Sequence, residues 1–103
     1  LLALWPALAR PQPMSSGASH TIDQMPRGQR RRVLDLIGNA EFGALDALVT
    51  RRLKELGFLP GAWVEVIGHG FFGRDPVSVR LGGSKFALRR AEARKVRVEA
   101  SGP

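Results

Sequence analysis

The most constraining stretch of this chain is Leu56-Gly57-Phe58-Leu59-Pro60-Gly61, because one periodicity stops there and another starts. Upstream, over residues 42–56, Phe42, Leu45, Leu48, Val49, Leu53 and Leu56 recur at steps of three and four, which predicts a helix with one apolar stripe. Arg51, Arg52, Lys54 and Glu55 fall off that stripe. Gly57 suits the left-handed C′ position that ends a helix, and Phe58 is the apolar residue that packs back on the last turn. Pro60 cannot continue a helix. With Gly61 it predicts the central pair of a type II turn, where proline presets φ and glycine supplies φ > 0.

Downstream the period falls to two. Trp63–Ile67 reads as a strand with Val64 and Val66 on one face; Pro76–Leu81 aligns Val77, Val79 and Leu81. Gly82-Gly83 predicts a hairpin turn into Ser84–Leu88, with Phe86 and Leu88 inward. Residues 90–94 suit one helical turn, and 95–99 a last strand with Val96 and Val98 inward. Before the helix, Thr21 and Gln24 fit a capping box that Pro26 limits to a single turn. Residues 29–37 read as a strand ended by Gly38-Asn39. Five short strands and one helix within 103 residues predict one mainly β domain, a small SH3-like or OB-like barrel whose closure would remove sheet edges.

The residue types exclude several chemistries. There is no cysteine, hence no disulfide framework, thiolate metal site or cysteine nucleophile. No acid/base pair or Ser/His/acid set stands out among the nine carboxylates, so the chain reads as non-enzymatic. Gly68-His69-Gly70-Phe71-Phe72-Gly73 spells G-x-G-x-x-G, yet Arg74-Asp75-Pro76 and a strand follow where a dinucleotide site needs a helix; the stretch reads as a glycine-rich hairpin loop. His20 and His69, the only imidazoles, show no ligand spacing with a carboxylate, so no metal ligand or cofactor is assigned.

The formal charge is +7, and 13 of the 16 basic residues are arginine, which raises an anionic partner. In a strand, Arg30 and Arg32 point one way and Arg31 the other, so the triple arginine does not make one flat patch. Phe71 and Phe72, neighbours at a hairpin end, point to opposite sides. With Arg74 they are the candidate partner contacts. Residues 1–13 are too short an apolar run, broken by Pro6 and without a basic start, for a signal peptide. They read as an upstream extension before Met14, within a disordered segment 1–19; residues 101–103 read as a flexible tail.

In order along the chain, the run from Arg52 to Gly61, Val64-Glu65-Val66, Asp75-Pro76-Val77 and Phe86-Ala87-Leu88-Arg89-Arg90-Ala91-Glu92-Ala93 resemble the FeoA family of bacterial ferrous iron transport. Thr21–Met25 is similar to its short N-terminal turn. The resemblance covers residues 20–100. It implies an SH3-like barrel in the cytoplasm that assists FeoB, the Fe(II) permease with a cytoplasmic GTPase domain, with no catalytic or iron-ligand set. The motif positions it supplies are structural: Leu53, Leu56, Gly57, Pro60, Gly61, Asp75, Pro76, Leu88 and Arg89. Monomer and homodimer, and direct binding of a transition metal, stay open. The alternative is a nucleic-acid module, since Gly61-x-x-Val64-x-Val66-x-Gly68 loosely resembles the KOW element. A detached FeoA-like domain of an iron-responsive repressor shares the fold, but no helix-turn-helix fits this chain.

Overall fold

The computed structural model describes residues 20–73 and 75–100. The expected segments 1–19 and 101–103, and Arg74, lie outside the described residues. In chain order the elements are β1 (His20–Thr21), a 3-10 turn (Ile22–Gln24), β2 (Arg30–Leu36), a kinked 3-10 segment (Ala40–Leu45) and α1 (Asp46–Leu56). There follow β3 (Trp63–Phe72), β4 (Asp75–Leu81), β5 (Ser84–Leu88), α2 (Arg90–Ala93) and β6 (Val96–Val98). All strand pairs are antiparallel, in the order β1-β6-β2-β3-β4-β5.

The helix stop works as its residues dictate. Gly57 is left-handed at φ 110. The Phe58 amide donates to the Leu53 carbonyl at 3.1 Å and the Gly57 amide to that of Lys54 at 3.0 Å, the paired bonds of a Schellman end. They swing Phe58 into the core, where it is fully buried and meets the Phe86 ring at 5.9 Å between centroids. Burying such a ring is worth roughly 1.5–3 kcal/mol. Gly61 has φ 90, and the Ala62 amide closes the turn on the Leu59 carbonyl at 3.0 Å. The inward row of each strand then fills the core: Val33, Val64, Val66, Val77, Val79, Leu81, Leu88, Val96 and Val98, capped by Ile22, Met25 and Leu53.

Four expectations are corrected. The sheet has six strands, the extra one being two-residue β1, which pairs His20 with Val98. Among the described residues β1 and β5 stand at the two ends of the sheet with no ladder between them, so closure is incomplete. The helix starts at Asp46, not 42, because the chain breaks at Gly43 (φ 52, ψ −129). Leu45 precedes α1, and Leu48 stands about 140° round the helix from buried Leu53; both leave the predicted apolar stripe and are each 60% exposed, while Phe42 is only half-buried. Finally, Gly68 to Phe72 is strand rather than loop. Gly70 explains its composition: a Cβ there would collide with the Asp75 carbonyl, so β4 can approach only a residue without a side chain.

Gly57→Ala is expected to cost about 1 kcal/mol or somewhat more, since alanine resists φ > 0 and its Cβ would press on Leu81 Cδ2 at 3.3 Å. Urea unfolding of the two proteins measures the difference; equal midpoints would refute this account of the helix stop.

Candidate functional site

α1 is fastened at both ends. At its start, Asp46 accepts the Lys95 ammonium at 2.5 Å and the Asn39 amide at 3.0 Å. Lys95 has no solvent exposure, and its Nζ also lies 5.9 Å from the Phe42 ring centroid. Asn39 in turn bonds the Glu41 amide through Oδ1 and the Ala91 carbonyl through Nδ2, at 3.0 and 2.9 Å. A buried ammonium is tolerated only when paired, and this one is. At its end the helix is held by Leu53 and Phe58 in the core.

The middle of α1 is left facing outward. Leu48, Val49, Arg51, Arg52 and Glu55 line a groove of about 540 Å³ whose far wall is Glu92 of α2. It adjoins a depression of about 300 Å³ floored by Leu53, Leu56, Phe86 and Leu88. Leu48 and Val49 form a short apolar strip in the groove, rimmed by the guanidinium groups of Arg51 and Arg52 and the carboxylates of Glu55 and Glu92. α2 is built from the family-like residues. Arg89 is extended, and its amide donates to Glu92 Oε1 at 2.8 Å. Asp75 Oδ1 accepts the Arg90 amide at 3.0 Å, and Arg90 Nη1 donates to the Gly73 carbonyl at 3.2 Å. The β3–β4 hairpin and the groove therefore share α2 as a common wall.

The sequence-predicted positions fall into three groups. Leu53 and Leu88 are core, with Leu56 packed against it; Gly57, Pro60 and Gly61 make the helix stop and turn; Asp75 and Pro76 open β4 at the turn end of the hairpin, and Arg89 precedes α2. Of the candidate contacts, Phe71 and Phe72 lie on the last two residues of β3 and Arg74 is outside the described residues. The sequence reading missed the groove because it assigned Leu48 to the core stripe. It also missed Lys95 and Asp46, which are 49 residues apart in the chain. Trp63 is half-buried beneath Arg30 and Arg32, while Arg31 turns the other way to bond Gln29, as strand alternation requires. Among the described residues no group of three or more His, Asp or Glu could hold a metal ion, and no helix is long and apolar enough to cross a membrane.

This architecture is that of a small SH3-like domain. A solved structure of FeoA from Stenotrophomonas maltophilia, complexed with zinc and described as a prokaryotic SH3 domain protein, is similar to it. The two are 35% identical with a TM-score of 0.68, over 80% of this chain and 92% of that one. FeoA from Chlorobium tepidum is 26% identical with a TM-score of 0.65, over 78% of this chain and 69% of that one. A manganese-dependent transcriptional repressor shares the fold alone, at 15% identity and a TM-score of 0.64, over 79% of this chain and 41% of that one. No curated protein sequence matches the chain. The FeoA domain model matches residues 20–100. The chain belongs to the FeoA family, which is associated with ferrous iron transport.

The charge network makes a pH prediction. Hydrogen bonds from Lys95 and Asn39 hold the Asp46 carboxyl below the usual aspartate range, and the Arg97 fork, at 2.6 Å on both oxygens, does the same to Asp35. A carboxyl with a lowered folded pKa adds stability above its unfolded pKa and loses it as pH falls through the folded value. Urea denaturation is thus expected to show stability level from pH 7 to about 5 and declining below about 4. Asp46→Asn should be less stable at pH 7 and decline less steeply in acid. An unchanged acid slope in the variant would remove Asp46 from this role.

Proposed function

We propose that this protein is a non-enzymatic accessory of ferrous iron uptake that docks on the cytoplasmic part of an FeoB-type permease, its GTPase domain. The observation that carries the reading is the outward face of α1, where Leu48 is 60% exposed beside a groove rimmed by Arg51 and Arg52 in a domain of this family. Exposed leucine flanked by arginine is the composition of a polypeptide contact. The hairpin carrying Phe71, Phe72 and Arg74 is tied to the groove wall by Asp75 and Arg90, and these three residues are assigned as further contacts. The Stenotrophomonas maltophilia relative has been put forward as a bacterial ferrous iron transport activating factor, which supports the same direction.

Docking changes transport only through unequal affinity for the states of the GTPase domain. Titration of the full chain against purified FeoB cytoplasmic domain, without nucleotide and with GDP or a GTP analogue, tests this. Binding is expected to differ between nucleotide states. Leu48→Asp should weaken it by about tenfold, as placing a charge in an apolar contact does. Absence of binding in all three conditions would overturn the reading.

A further inference from the structure

Trp63 carries two guanidinium groups. Arg30 Cζ lies 4.7 Å and Arg32 Cζ 4.9 Å from its ring centroid. The register explains the cluster: Arg32 pairs with Trp63 across β2 and β3, and Arg30 pairs with Glu65 one step along the same face. That second row continues through Arg80 of β4 to Lys85 of β5. The face is the outer one, since Val64 and Val66 between these positions are in the core. Arg80 is spent on Glu65 at 3.1 Å. Among the described residues neither Arg30 nor Arg32 has a carboxylate partner or donates a side-chain hydrogen bond, and Lys85 forms no ion pair.

Stacking on an indole holds a guanidinium plane in place while leaving its edge N–H groups free. Two such forks side by side, with an ammonium at the end of the adjoining row, are arranged to receive carboxylates bidentately. We infer that the outer face of β2–β5, centred on Arg30, Arg32 and Trp63, binds an acidic polypeptide segment. Nucleic acid fits less well. Sheets that read single strands offer bare aromatic faces for base stacking, and the one aromatic described on this face is already covered by guanidinium. The inference is separate from the α1 groove and does not depend on the permease being the partner.

The test is fluorescence anisotropy of a labelled twelve-glutamate peptide titrated with the full chain, with a twelve-nucleotide oligothymidylate as the second probe. The peptide is expected to bind more tightly than the oligonucleotide. Arg30→Gln/Arg32→Gln should weaken it about tenfold or more. Arg51→Gln/Arg52→Gln, which removes the same charge from α1, should change it less than about threefold, since exposed charges act weakly at a distance. Trp63→Leu and, separately, Arg30→Lys/Arg32→Lys keep the charge but lose the stacked forks, and each should weaken binding severalfold. Thermal unfolding of every variant confirms folding; should Trp63→Leu not fold, the lysine pair decides the same point. Equal losses in the two glutamine variants, full affinity in the lysine pair, or tighter binding of the oligonucleotide would overturn the inference.

Discussion

The Lys95–Asp46 pair is the contact on which the arrangement of helix and sheet depends. It joins the residue just before β6 to the first residue of α1, and Asn39 extends it to the α2 backbone. Lys95 is wholly buried, so its charge has to be compensated where it stands. Only one placement of α1 brings Asp46 to it. An apolar contact at this point would be satisfied by many helix orientations; an ion pair with a bonded carboxylate is satisfied by few. Beside the stability that the lowered Asp46 carboxyl adds at neutral pH, the pair restricts where α1 can sit.

Most of the fold was legible wherever a residue type has a single backbone consequence. Gly57 and Pro60-Gly61 stopped the helix and turned the chain as read, and alternating valines marked the inward faces of β3, β4 and β6. The misreadings lie where residues are locally ambiguous. Gly43 breaks a pattern that spacing alone continues through Phe42 and Leu45, and Leu48 keeps a step of three or four along the chain while standing well round the helix from buried Leu53. Gly68 and Gly70 have no side chain to reveal a face, and the far half of β3 passed for a loop. The Lys95–Asp46 pair leaves no sequence signal, because a lysine bound for burial looks like any other lysine until the chain has folded.

The surfaces follow from the same division. The resemblance to the family rests on residues that shape turns and core, and those are the positions the fold uses internally. Two features face outward instead: the leucine and arginine face of α1, and the arginines over Trp63 on the outer face of the sheet. The basic charge that the composition announces is thus divided. Arg80, Arg94 and Arg97 are engaged with carboxylates, while Arg30 and Arg32 are held ready by an aromatic ring.

The Schellman end of α1 has a mechanical consequence. With Phe58 set in the core at one end and Asp46 locked at the other, the helix is a short beam pinned at both supports. A partner that grips its exposed middle pulls on something that cannot pivot. Force applied there would pass into the sheet rather than be taken up by pivoting of the helix.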